Sequence, residues 1–206
     1  MSKRGYHHGN LKSALVDAVL SLISEKGPNG FSFAEAARRA GVSPAAPYRH
    51  FKDRDELIIE TARRGYEIFA ARLEAAWDEG RPSPLSAFDR VGRAYLGFAR
   101  AEPAYFAAMF EAGIAPEDDP TLRAAANRAF DALHRACEAL AARMPEDKRP
   151  PVLMMSYHLW AITHGVTALF GRAEDARRRA PISPEELLEA GAAIYLRGVG
   201  FLPKDT

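Results

Sequence analysis

Between breaks rich in proline and glycine, apolar residues recur at spacings of three and four, and no stretch alternates in twos as a half-buried strand does. The pattern predicts an all-α protein. A first helix runs from about Asn10 to Lys26, with Leu11, Leu15, Ala18, Val19, Leu22 and Ile23 on one face, and stops at Gly27-Pro28-Asn29-Gly30. Two short helices follow, near Ser32–Ala40 and Ser43–His50, then a long one near Asp53–Trp77 that buries Leu57, Ile58, Ala62, Tyr66, Phe69 and Leu73. Beyond the Gly80–Pro84 break come helices near Leu85–Arg100, Glu102–Phe110, Pro120–Arg143, Val152–Phe170 and Glu185–Val199, with a charged loop at Gly171–Pro184.

The two short helices carry the most specific local signal. Ser32-Phe33-Ala34-Glu35 has the form of a capping box, in which the serine hydroxyl and the glutamate carboxylate satisfy free amides at a helix start. Eight residues on, Ala40-Gly41-Val42-Ser43 supplies a tight turn, with glycine taking backbone angles that other residues resist and Ser43 capping a helix that opens on Pro44. Two short helices joined so tightly form either a helix-turn-helix or an ordinary helical hairpin. The flanking chemistry favours the first, because Tyr48, Arg49, His50, Lys52 and Arg54 gather hydroxyl and cationic donors suited to phosphate oxygens.

Charge points the same way. The net charge of +1 hides nine Lys/Arg against four Asp/Glu in residues 1–54, so the remainder is acidic. A basic segment on an acidic remainder predicts a polyanion-binding module attached to something that does not bind polyanions. Lys3, Arg4, Tyr6, His7 and His8 form a basic arm before the first helix, of a kind that lies against phosphates or in the minor groove.

Phe33-Ala34-Glu35-Ala36-Ala37-Arg38-Arg39-Ala40-Gly41-Val42-Ser43, followed by Tyr48-Arg49-His50-Phe51-Lys52-Asp53-Arg54-Asp55-Glu56-Leu57, resembles the TetR family over about fifty residues. The resemblance implies an N-terminal three-helix DNA-binding domain over residues 1–52 and a larger helical ligand-binding and dimerisation domain over 53–206. It implies that Pro44, Ala45 and Ala46 face base edges and that Tyr48, His50, Lys52 and Arg54 grip the DNA backbone, with Ser32, Ser43 and Arg49 beside them. Pro47 stands where many members have leucine; lying in the first turn, it predicts a small local adjustment of the reading helix. The small, apolar reading surface suits methyl contacts and DNA shape better than bidentate hydrogen bonds.

Residues 66–110 hold nine of the twenty Phe, Trp and Tyr residues. Such stripes build either core or the lining of a pocket for an apolar guest, and the pattern does not divide the two. The candidate effector contacts are Tyr66, Phe69, Tyr95, Phe98, Tyr105, Phe106, Met109, Phe110, Trp160 and His164. Trp160, His164 and Gly165 resemble the Trp-His-Gly variant of TetR C-terminal domains, and His164 reads equally as a buried histidine satisfied by a neighbour. The last two helices are the expected homodimer contact, with Leu159, Ile162, Val166 and Leu169 adding apolar surface and Gly191, Ala192 and Gly198 permitting close approach. The expected partners are therefore an inverted-repeat operator in double-stranded DNA, a small-molecule effector and a second copy. The expected function is a ligand-responsive repressor, with an activator and a partner-gated regulator as alternatives.

The single cysteine, Cys137, excludes an intrachain disulfide and any multi-cysteine metal site, and fits a reducing cytoplasm. No secretory signal is expected from the polar, basic first ten residues. Val152–Phe170 lacks Asp, Glu, Lys and Arg, yet its Ser156, His158, Thr163, His164 and Thr167 favour burial between protein surfaces over a place in lipid. A helical enzyme or carrier using Cys137, His134, His158 or His164 is the rival class, but no nucleophile, base and orienting group assemble from the sequence. No cofactor, metal or catalytic residue is expected.

Overall fold

The structure, a computed structural model, describes residues 8–170 and 181–203. Lys3 and Arg4, with the rest of the basic arm, and most of the Gly171–Pro184 loop lie outside the described residues. Among the described residues all regular elements are helical: α1 (His8–Lys26), α2 (Phe33–Arg39), α3 (Arg54–Trp77), α4 (Pro84–Ala101), α5 (Pro103–Phe110), α6 (Pro120–Ala141), α7 (Val152–Phe170) and α8 (Pro184–Gly198). Proline is the first residue of α4, α5, α6 and α8. There its preset φ suits the helix and its missing amide costs nothing, since that amide has no intrahelical partner. Ser32 and Ser183 each make a complete capping box, with Glu35 and Glu186 respectively.

The chain packs as two units, Met1–Tyr66 with Glu102–Ala126 and Glu67–Ala101 with Asn127–Thr206, so the division falls within α3 and α6. In the first unit α1 packs on α2 and α5. Leu15, Val16, Val19 and Leu22 of α1, Ala36 and Ala37 of α2, Phe51, Leu57, Ile58 and Phe106 are all buried there. Where α3 meets α5, a β-carbon on Gly65 would stand 2.8 Å from Met109 Sδ and 3.1 Å from Tyr105, so a larger residue there would make these side chains shift.

In the second unit α4, α7 and α8 pack together. One core cluster joins Leu133, Cys137, Leu140, Met155, Leu159, Ala192 and Leu196, and another joins Leu96, Val166 and Leu188. The polar residues of α7 are satisfied within the protein. The buried hydroxyls of Ser156, Thr163 and Thr167 donate to Val152, Leu159 and Thr163 carbonyls at 2.7–2.8 Å, bonds that answer each hydroxyl without leaving the helix. No helix among the described residues is long and apolar enough to cross a membrane.

The face expected to meet a second copy is corrected in part. Leu159, Val166 and Ala192 are buried in the chain's own unit, and Gly191 turns toward Ile162, whose Cγ2 lies 3.2 Å from a β-carbon built there. The opposite sides of the same helices are exposed, carrying Leu153, Met154, Tyr157, Ala161, Ala168 and Leu169 on α7 and Ala190, Ile194 and Gly198 on α8. Nearly all of α7 is apolar, so periodicity alone could not separate its inward side from its outward one.

Candidate functional site

The turn after α2 forms as its sequence dictates. Gly41, at φ +72°, stands just past the helix end, its amide donating to Arg38 and the Val42 amide reaching back to Ala37 at 3.0 Å. These two bonds satisfy end carbonyls and fix the exit direction. The next segment departs from expectation: residues 43–50 form no α-helix but a turn followed by a short 3-10 helix, Pro47–Arg49. In an α-helix capped by Ser43, the first backbone bond would run from the amide of residue 47 to the Ser43 carbonyl, and proline has no such amide. That carbonyl instead accepts the Ala46 amide at 3.0 Å, and Arg49 and His50 donate to Ala46 and Pro47 in the same three-residue pattern. The expected small adjustment was too small, because the lost bond is the one that nucleates a very short helix.

The result is a compact projection. Ser43, Pro44, Ala45, Tyr48 and Arg49 are exposed, Pro47 is buried, and His50 is half-buried. Tyr48 is 64% exposed, and its ring stands edge-on to Phe33 with centroids 5.0 Å apart. The hydroxyl is thereby carried on a fixed ring. Lys52 is exposed beside it, and its amide donates to Glu56 while Asp53 Oδ1 accepts the Glu56 amide at 2.9 Å, together closing the start of α3. Lys12, absent from the sequence-based set, places its ammonium 5.2 Å from the Phe51 ring centroid and so joins this group. It was missed because its partner lies far along the chain.

Arg54 and Ser32 stand apart from these groups. The Arg54 guanidinium donates to the Phe31 carbonyl at 3.0 Å, to the Pro28 carbonyl and to Asn29 Oδ1 at 3.3 Å, and lies 4.8 Å over the Phe31 ring. It pins the loop between α1 and α2 to the first turn of α3. Ser32 is occupied as a helix cap. Neighbouring charges brace α1 against α2. Arg39 makes a paired contact with Glu25 at 2.6 and 2.7 Å, and Lys26 meets Glu35 at 2.5 Å. The Arg39 hydrogen bonds hold the Glu25 carboxyl below the usual carboxylate range; Lys26, with the Ser32 amide, does the same for Glu35.

The candidate effector residues fall into two groups, one in each unit. In the first, Tyr66 meets Phe110 edge-on at 5.7 Å, Phe110 meets Phe106 at 4.8 Å, and Tyr105 and Met109 lie against Gly65. Burial pushes the Tyr66 phenol well above its ordinary range. In the second, Phe69 touches both Tyr95 and Phe98 at 4.8 Å, Tyr95 Oη is 2.8 Å from His164 Nδ1, and Trp160 lies 6.1 Å from His164. The residues of the rival catalytic reading form no activated nucleophile. Ser156 directs its one proton to Val152, so its oxygen accepts from His134 Nδ1 at 3.0 Å, and burial pushes the Cys137 thiol up to about 11.

An architecture that is all helical among the described residues, with a capped short helix, a tight glycine turn and a basic projection after it, has the layout of a helix-turn-helix protein. The comparisons narrow this class. Residues 15–61 match the model of bacterial regulatory proteins of the tetR family, and residues 88–195 match a tetracyclin repressor-like C-terminal domain. The chain belongs to the TetR family, a family of DNA-binding transcriptional regulators rather than enzymes, whose members typically act as dimers. It is similar to an HTH-type transcriptional regulator of Haemophilus influenzae, 33% identical over 73 residues, which is 35% of this chain and 39% of that one. The regulator BetI of Rhizobium meliloti is 42% identical over 52 residues, covering 25% of this chain and 26% of BetI. The matched stretches thus span between a quarter and two fifths of these relatives. A solved protein of unknown function from Rhodococcus sp. RHA1 is 28% identical with TM-score 0.77, over 95% of this chain and 98% of that one. The TetR-family regulator PfmR of Thermus thermophilus shares the fold at 20% identity and TM-score 0.66, over 89% of this chain and 97% of that one.

Proposed function

We propose that this protein is a homodimeric repressor that binds an inverted-repeat operator and is released by a small, largely apolar effector. The observation that carries the DNA reading is the projection itself: Ser43, Pro44, Ala45 and half-buried Ala46 beside exposed Tyr48, Arg49 and Lys52, with Tyr48 set against Phe33 and Lys12 over Phe51. Short apolar side chains suit base edges and thymine methyl groups, while a phenol and cations suit phosphates. Lys12, Tyr48, Arg49, His50 and Lys52 are assigned to the backbone, and the arm residues Lys3 and Arg4 are assigned to DNA as well. Arg54 and Ser32 hold the motif in shape. Functionally, residues 1–52 read DNA and residues 53–206 sense and dimerise.

The second copy meets the exposed apolar side of α7 and α8, led by Leu153, Met154, Tyr157, Leu169 and Ile194. Large exposed apolar patches on one side of a protein ordinarily mark interfaces. Two-fold pairing would set the two projections roughly 34–36 Å apart, or a related multiple, along the duplex. The effector is recognised by the aromatic groups, with the Tyr95–His164 pair supplying polar orientation and a C-terminal domain of Trp-His-Gly type around Trp160. Helix α3 carries the signal, because one continuous element bears Arg54 at its first turn and Tyr66 and Phe69 near its middle. Such coupling is worth about 1–3 kcal/mol and requires unequal effector affinity for the two conformations.

The test is selection of genomic fragments by the purified full chain, followed by gel-shift titration. Tyr48→Phe and Lys52→Ala are expected to weaken specific and random duplexes alike, whereas Ala45→Leu shifts sequence preference. Equal loss from all three would refute the division of roles. An effector that leaves operator affinity unchanged would refute release.

A further inference from the structure

We infer that Pro47 is a positioning residue that sets operator specificity, by replacing the usual reading helix with a proline-pinned turn. The inference rests on the DNA reading above and deepens it. Four observations carry it. Pro47 is buried while its neighbours Ala45 and Tyr48 are exposed, so it acts from inside the motif and not by touching DNA. The Ser43 carbonyl is taken by Ala46 at 3.0 Å, the short pattern that a proline at 47 imposes. Among the described residues of the motif, the i to i−4 pattern resumes only at Phe51, whose amide reaches Pro47 at 3.0 Å. Finally, Tyr48 is held on Phe33 at 5.0 Å, so the chain leaves the turn in a fixed direction.

The consequence is a narrow reading surface. An α-helix laid along a groove presents successive side chains over several base pairs. A turn presents only its crest, here Ser43, Pro44 and Ala45, with Ala46 half-covered. Those side chains offer methyl and ring surface and a single hydroxyl, which recognise thymine methyl groups and the shape of the major-groove floor. Direct base discrimination is therefore confined to two or three adjacent base pairs per half-site, on the order of the crest's own length. Phosphate contacts at Tyr48, Arg49 and Lys52 supply affinity without sequence.

The experiment is selection from a randomised duplex library with the wild-type chain, Pro47→Leu and Pro47→Ala. Both variants restore an amide at position 47, and leucine keeps the apolar volume. Amide protection and carbon chemical shifts across 43–50 report whether a helix forms. The wild type is expected to enrich a short half-site. At least one variant is expected to gain helical signals and to enrich a different or longer half-site than the wild type does. Variants that gain a helix yet enrich the wild-type half-site overturn the inference. So do variants that both keep the turn, because proline would then not be its cause. If the wild type enriches no sequence, the DNA reading fails and this inference with it; if only the variants leave the motif unchanged, the DNA reading stands alone.

Discussion

Replacing Arg54 by methionine separates an anchoring role from a phosphate contact. Methionine keeps an unbranched apolar stem and removes the guanidinium. Lost with it are charge-assisted hydrogen bonds to the Phe31 and Pro28 carbonyls and to Asn29, and the stacking on Phe31. Bonds from a charged donor contribute about 1.5–3 kcal/mol each when sheltered. Because the side chain is 24% exposed, values near the lower end apply. The ring contact adds about 0.5–1 kcal/mol. The pair with Asp55, itself 71% exposed, contributes little. With the exposed Asn29 bond adding little, the two part-buried carbonyl bonds and the ring contact total about 4 kcal/mol, which in a chain of this size lowers the melting temperature by roughly 8–16 °C. Thermal melts read that loss, and titrations of random duplex at several salt concentrations, well below the melting range, read the other. The salt slope is expected to stay at the wild-type value. An unchanged melting temperature with a slope shallower by about one per protomer would refute the reasoning and make Arg54 a phosphate contact.

Other perturbations test separate parts of the account. Gly65→Ala sets a methyl group 2.8 Å from Met109 Sδ and should cost about 1–3 kcal/mol, and in a double-mutant cycle with Met109→Ala by urea unfolding the two changes should cost less together than the sum of each alone; strictly additive losses would contradict the packing of α3 on α5. Glu25 and Glu35 are held below the ordinary 4.5, so their contribution is complete above that value and fades as the pH falls through the depressed folded values. Acid titration should therefore loosen α1 from α2, and Glu35→Gln should flatten that step; an identical acid profile in the variant would contradict the assignment. The Cys137 thiol, pushed up to about 11 and fully buried, should resist a thiol reagent at pH 8 until the chain unfolds, and prompt labelling of the native protein would be inconsistent with the core around Met155 and Leu159. Ile194→Asp places a charge on the most exposed large apolar residue of α8 and should yield monomers by sedimentation; a persisting dimer would move the interface elsewhere.

Helix placement was legible because proline and glycine punctuate this chain heavily. Pro84, Pro103, Pro120 and Pro184 each open a helix, and Gly41 and Gly200 each follow one in the left-handed region. Punctuation is local chemistry and survives without tertiary context. The capping box at Ser32 was legible for the same reason. Three things were not. The reading segment had a helix's start signals, but the effect of Pro47 depended on which single backbone bond it removed, and in so short an element one bond decides. The outward face of α7 was hidden by a composition apolar all round, so Leu159 and Leu153 looked alike until packing separated them. Arg54 carried the motif's identity, yet its direction is set by carbonyls at Pro28 and Phe31, more than twenty residues earlier in the chain.

The account turns on the groups around the proline turn meeting a duplex. The direct measurement is the dependence of log affinity on log salt for a selected operator, made with the wild type and with Lys52→Ala. Lys12, Arg49 and Lys52, with the arm residues Lys3 and Arg4, from each of two protomers predict a wild-type slope of about −9, and the substitution should reduce its magnitude by about 2. A wild-type slope near zero, or one that Lys52→Ala leaves untouched, would contradict the claim that this projection holds DNA.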